Sequence, residues 1–186
     1  MTMREHEPII LVRDCDAILI PYGTPIKLQK DSVVYITQSL GGNYTVNING
    51  NLAQISSSDA DTLGIAVAER IISSADTTLV DGSLDEAIVW QELRTCYDPE
   101  IPYNIVDLGL VYGCRISKLN EGGHKVEIVM TLTAPGCGMG EFLAADVRNK
   151  IQAIPGVTEV NVELTFDPPW NQDKMTESVR LELGMF

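Results

Sequence analysis

From Met130 to Phe142 the chain reads M-T-L-T-A-P-G-C-G-M-G-E-F, and the reactive residue in it is Cys137. A cysteine kept only for packing normally sits inside an apolar run. Cys137 instead stands between Gly136 and Gly138, after a strand-like stretch and before a helix-like one. At a helix N-terminus the unpaired amides and the positive end of the helix dipole favour thiolate over thiol. The flanking glycines clear the approach of a bulky group to the sulfur, and Glu141 opposes the thiolate slightly by its charge. The same glycines could merely permit a tight turn with the sulfur plugging a gap; the helix-start position and the absence of an apolar run favour chemistry. A phosphate loop is excluded, because no lysine follows the glycines and the spacing matches neither nucleotide fingerprint.

A second constellation is Asp98-Pro99-Glu100-Ile101-Pro102-Tyr103-Asn104-Ile105-Val106-Asp107, three carboxylates and an amide in one proline-stiffened loop. Two readings stand side by side. Asp and Asn can simply cap backbone groups of a rigid turn, or the loop can form a wall of hard ligands beside Cys137. A third is the corner Asp167-Pro168-Pro169-Trp170, where the indole either packs over the domain or offers a partner-binding edge. The other cysteines, Cys15, Cys96 and Cys114, lie in or beside strand and helix patterns and are expected to be buried. No C-x-x-C pair occurs, so neither a zinc knuckle nor a thioredoxin-type redox motif is encoded. His6 and His124 read as solvated residues of a tail and a turn. A thiol-dependent hydrolase is disfavoured, since no histidine is placed as the base for Cys137.

Positioning these residues requires a scaffold, and two parts are legible. In the first, Ile9–Val12, Ala17–Ile20, Val33–Thr37 and Tyr44–Ile48 are apolar or β-branched runs between turn signals. Asn49-Gly50 is the strongest hairpin signal in the chain. A small antiparallel, barrel-like β-unit is expected over about the first 55 residues. Asp59-Ala60-Asp61 lacks the rest of a calcium loop and reads as turn or cap chemistry. A Ser/Asp/Thr-rich connector with one apolar element, Ile65–Ile72, carries the chain to residue 82.

The second part begins at Ser83. Ser83-Leu84-Asp85-Glu86 has the capping-box pattern, with Ser83 as N-cap, and Val89, Leu93 and Cys96 recur at helical spacing. Strands are expected over Leu108–Ile116 and Val126–Leu132. The stripe Leu143, Val147, Ile151, Ile154 predicts a helix, and Val160, Val162, Leu164 and Phe166 alternate as a strand. Met175, Val179 and Leu183 suggest a short terminal helix. The fold class is therefore α+β: a β-rich domain over 1–82, then a compact domain over 83–186 with a small mixed sheet in α-β-β-α-β order plus a terminal helix.

The net charge of −13 over 186 residues is spread along the chain, with five Lys/Arg against ten Asp/Glu in residues 1–82 and eight against sixteen thereafter. Both halves would repel a phosphate backbone, which argues against nucleic acid as a partner. No apolar run reaches the length of a membrane span. Met1–Glu7 has acidic residues and no apolar core, unlike a secretory leader. A cytoplasmic setting without a membrane partner is expected.

Taken in order, Asp98–Tyr112 (D-P-E-I-P-Y-N-I-V-D-L-G-L-V-Y), Met130–Cys137 (M-T-L-T-A-P-G-C) and Gly156–Trp170 (G-V-T-E-V-N-V-E-L-T-F-D-P-P-W) carry a family likeness. They resemble the small iron–sulfur assembly domain of bacterial PaaD, found also in eukaryotic cytosolic iron–sulfur targeting factors. The likeness runs from about Ser83 to Phe186, and a β-rich extension ahead of it resembles an accessory factor of the SUF iron–sulfur system. Where many relatives have Cys-Pro, this chain has Cys137-Gly138. The resemblance implies a maturation factor rather than an enzyme. It implies Cys137 as the functional thiol, with Asp98, Glu100, Asn104, Asp107 and Thr133 as its motif neighbours and Trp170 as a partner-binding candidate. The implied cargo is iron or an iron–sulfur cluster, held transiently, and the implied partners are SUF assembly proteins and apoprotein clients. One sulfur cannot hold a cluster that normally takes four ligands, so the others must come from a second copy, another protein or a small thiol. A homodimer presenting two Cys137 residues is one such arrangement. The reading from a different class is a metal-free adaptor that docks clients.

Overall fold

The computed structural model describes residues 7–66, 77–79, 81–136 and 138–185. Cys137, His6 and most of the Ile65–Ile72 element lie outside the described residues. The chain divides into two compact units, Met1–Glu69 and Arg70–Phe186. The architecture is mixed α/β, with a six-stranded sheet in the first unit and a three-stranded sheet in the second.

In the first unit β1 (Pro8–Ile10), β2 (Cys15–Ile20), β3 (Thr24–Leu28), β4 (Val33–Leu40), β5 (Asn43–Ile48) and β6 (Asn51–Ile55) form an antiparallel sheet. Their order is β1-β4-β5-β6-β2-β3. Val34, Ile36, Val46, Ala53 and Ile55 fill one face and pack with Leu11, Cys15 and Leu28, the burial expected of period-two alternation. Asn49 and Gly50 both have positive φ, 51° and 83°, the two-residue hairpin geometry whose twist matches its strands. Asp59 and Asp61 belong to a 3-10 helix, Ser57–Leu63. Both accept from the Arg13 guanidinium, at 2.7 and 2.6 Å, so this acidic pair serves as an arginine clamp.

The second unit contains α1 (Glu86–Leu93), β7 (Val111–Lys118), β8 (His124–Met130), α2 (Gly140–Gln152), β9 (Val157–Leu164) and α3 (Glu177–Glu182). β7 pairs antiparallel with β8, and β8 pairs parallel with β9. Because β8 and β9 are parallel, the chain must cross over between them, and α2 makes that crossing. Its Leu143, Val147 and Ile151, with Ile154 just beyond, are buried against Val126, Ile128 and Met130 of β8 in one apolar cluster. None of the described helices is long and apolar enough to cross a membrane.

Three local expectations are corrected. The N-cap of α1 is Asp85, whose carboxylate accepts from Ala87 N at 2.9 Å. Ser83 instead donates its hydroxyl to Asp81, so two acids flanking the serine divide the capping work differently from a capping box. Leu108–Leu110 precedes β7 as a buried turn rather than a strand. His124 opens β8 at 6% exposure, with Nδ1 3.2 Å from Gly156 O. Its place on the core face of the strand, in line with Val126 and Ile128, overrides the polar turn beside it.

Candidate functional site

The β8–α2 connection determines where Cys137 sits in the chain path. β8 ends at Met130, whose carbonyl accepts from Thr165 N at 2.9 Å, while Thr131 N donates to Leu110 O at 2.8 Å. The turn after β8 therefore leaves from between the entry to β7 and the exit from β9. Ligands gather at such carboxyl ends of parallel strands in α/β sheets. Thr133 is half-exposed, and Gly136 and Gly138, on either side of Cys137, are exposed. Gly136 has φ +79° with open space around the position of a Cβ.

The helix that follows starts without a side-chain cap. Met139 is its N-cap residue, is itself buried, and makes no side-chain cap bond. A 13-residue helix presents a positive pole at its first turn, here three residues after the thiol in the sequence. Gly140 fits because the helix start lies against Leu132: a Cβ there would come within 2.5 Å of Leu132 Cδ1.

The acidic loop reaches the same end of the sheet by its backbone. Ile105 N donates to Cys96 O, Leu110 N to Ile105 O, and Leu110 O receives Thr131 N. Within it, Asp98 is 5% exposed and its Oδ1 accepts from Glu100 N and Ile101 N at 2.8 and 2.9 Å. Burial pushes the Asp98 carboxyl up from its ordinary value, and the two amide bonds only partly offset this. Asn104 Oδ1 accepts from Val106 N and Asp107 N, while its Nδ2 donates to Asp107 Oδ2 at 2.7 Å. Asp98 and Asn104 thus hold turns, and the Glu100 side chain is exposed. Among the described residues no three His, Cys, Asp or Glu side chains converge to hold a metal ion.

Trp170 is half-buried against the core, and its indole N–H donates to Leu108 O at 2.8 Å. Beside it Tyr112 donates its hydroxyl to Pro168 O, and Lys174 Nζ lies 4.7 Å from the Tyr112 ring centroid. Phe166 is exposed nearby in sequence. The corner is pinned, with aromatic surface left outward.

The remaining thiols hold their protons more tightly than an ordinary cysteine. Burial pushes Cys114 up to about 11, and burial together with Asp146 pushes Cys96 higher still; burial also raises Cys15. Cys114 is half-exposed rather than buried. Sequence reasoning missed the buried pair Asp146–Lys150, 3.0 Å apart, whose lysine also donates to Thr95 O at 2.7 Å and ties α2 to the end of α1. Its signal was the i,i+4 spacing. It also missed Gly109, whose left-handed φ of +68° lets the backbone lie against Lys174.

The profile of a family described as "Iron-sulfur cluster assembly protein" matches residues 86–163. An "Fe-S protein maturation auxiliary factor" of Porphyromonas gingivalis is 48% identical over 92 residues, which span 50% of this chain and 84% of that protein. The "Fe-S protein maturation auxiliary factor SufT" of Staphylococcus aureus is 36% identical over 88 residues, 47% of this chain and 96% of that one. Among solved structures, a domain of unknown function, DUF59, from Bacillus anthracis is 30% identical, with a TM-score of 0.47. It covers 54% of this chain and 92% of that one.

Proposed function

The chain belongs to the family of iron–sulfur cluster assembly proteins, and on that premise we propose that it is an accessory factor in the maturation of iron–sulfur proteins, acting through Cys137. The observation that carries this reading is the place of Cys137 within the matched residues. It lies between two exposed glycines, three residues ahead of an uncapped helix start. At that place in the sequence a thiolate would draw on the helix pole, and small neighbours would admit a large, soft ligand. Iron or a cluster is cargo in this reading. Cys137 supplies one thiolate of the four ligands a cluster normally takes; Asp98 Oδ1 and Asn104 Oδ1 are taken by backbone amides, and in this reading the other ligands come from a second copy, a carrier, a client or a small thiol. An underfilled site releases its cargo more readily than a closed one, as transfer requires. No catalytic step is assigned. The loop Asp98–Asp107 with Thr133 supports the turn, residues 83–186 form the working domain, and the setting is cytoplasmic, among SUF proteins and their apoprotein clients.

Anaerobic reconstitution with iron and sulfide tests the role of the thiol. Visible cluster absorption in the wild type and its loss in Cys137→Ser is the expected result. Equal, featureless spectra from both proteins would sink it. One observation favours a second reading, a metal-free adaptor: Phe166 is exposed close in sequence to the pinned Trp170 corner. In that case Trp170 and its aromatic neighbours dock clients, and Cys137→Ser leaves client maturation intact.

A further inference from the structure

β9 is an edge strand, with β8 on one side and no described strand on the other. Exposed edges are templates for pairing, and proteins usually blunt them with prolines, lysines, bulges or short length. The other three edges carry such devices. β1 has three residues and opens on Pro8, β3 contains Pro25 and Lys27, and β7 has a register shift between Val111 and Gly113 and carries Arg115 and Lys118. β9 has an extra residue, Thr158, at its start, where Gln152 Nε2 meets the carbonyls of Val157 and Thr158. From Glu159 to Leu164 it then runs in unbroken register with Lys125–Met130 and contains no proline, lysine or arginine.

The side chains along this stretch sort into two rows. Glu159, Asn161 and Glu163 are exposed on the face away from the helices, and Val160, Val162 and Leu164 are half-buried against the core. Lys125 reaches Glu159 at 3.2 Å, whereas no cation lies within ion-pair distance of Glu163 among the described residues. Beside Glu163 a shallow cavity of about 230 Å³ is lined by Gly113, Arg115, Glu127, Val129, Asn161 and Glu163. Its floor is apolar at Val129; Glu127 is already paired with Arg115 and Lys125, which leaves Glu163 as the carboxylate to meet the head of a lysine whose stem lies on Val129.

We propose that the outer edge of β9 accepts an added strand from another protein, an extended segment in which basic and apolar residues alternate. Main-chain bonds to this edge would supply affinity, and alternate side chains specificity. Basic residues would lie opposite Glu159 and Glu163, and apolar ones would continue the row of Val160, Val162 and Leu164. A second copy of this chain fits poorly. An antiparallel β9 pair centred on Asn161 sets Glu159 against Glu163 of the second copy, twice, and like charges directly opposite are destabilising. The net charge of −13 points the same way. The edge ends where β8 passes into the Cys137 turn, but docking there is independent of chemistry at the thiol.

The test uses the full chain, an eight-residue peptide alternating lysine and valine, and amide hydrogen exchange. Added peptide should protect amides of Glu159–Leu164, while alternating glutamate–valine and N-methylated lysine–valine peptides should not. Glu163→Gln should weaken binding about two- to fivefold, with Glu121→Gln, an exposed turn acid, unchanged. Cys137→Ser should bind the peptide as the wild type does, which separates this result from the reconstitution above. Binding that leaves β9 exchange unaltered is charge adhesion and overturns the proposal. So does β9 protection that rises with protein concentration alone, since the occupant is then a second copy.

Discussion

Asp98 holds its loop with a carboxylate that water scarcely reaches, and the consequence shows in its titration. Its folded pKa is raised, chiefly by burial. The folded state therefore binds the Asp98 proton more tightly than the unfolded chain does. Its share of stability is full below the ordinary aspartate range and is lost as pH rises through the raised value. Asp98→Asn keeps the acceptor oxygen and removes the titration. In urea unfolding from pH 3.5 to 7, its stability relative to wild type should rise with pH. Asp98→Ala removes the acceptor as well and should lose roughly 1–3 kcal/mol by leaving two amides unmet. A variant gap independent of pH would show that Asp98 titrates as an exposed acid does. Trp170→Phe tests the corner at the same scale: it keeps most of the packing, forfeits the bond to Leu108 O, and should cost about 1 kcal/mol. A much larger loss of client binding than of stability would assign the indole to a partner.

At the scale of elements, α1 distinguishes two cap assignments that the sequence leaves adjacent. Asp85→Ala should cost about 1 kcal/mol because Asp85 receives the helix amide, and Ser83→Ala should leave α1 nearly unaffected; equal losses would restore the capping box. Gly109 makes the sharper demand. At φ +68°, a Cβ there would lie 2.0 Å from the Lys174 carbonyl oxygen, and backbone cannot rotate aside as a side chain can. Gly109→Ala should destabilise by on the order of 2–4 kcal/mol, and exchange at Thr176 N, which donates to Asp107 O, should quicken. Periodicity made the α2 stripe and the hairpin at Asn49-Gly50 legible, because both depend on neighbours within a few residues. Gly109 and His124 were not legible, since their constraints come from residues 65 and 32 positions away.

At the scale of the molecule, two apolar clusters with no shared member stabilise the two units. Ile151→Ala and Ile55→Ala, each fully buried, should each cost roughly 2–5 kcal/mol. Calorimetry should find each acting on a different transition, and one shared transition moved equally by both would show coupled units. What the sequence determined by itself is local in origin: a mixed α/β class, the strand and helix stripes, and a family likeness set by three motifs in order. Tertiary structure decided what depends on distant neighbours. It set the buried state of Asp98 and His124, the arginine clamp at Asp59 and Asp61, and an edge of β9 that no described strand pairs. Patterning encodes which face of an element seeks the core, but burial of a polar group and freedom of a strand edge depend on what the rest of the chain brings alongside.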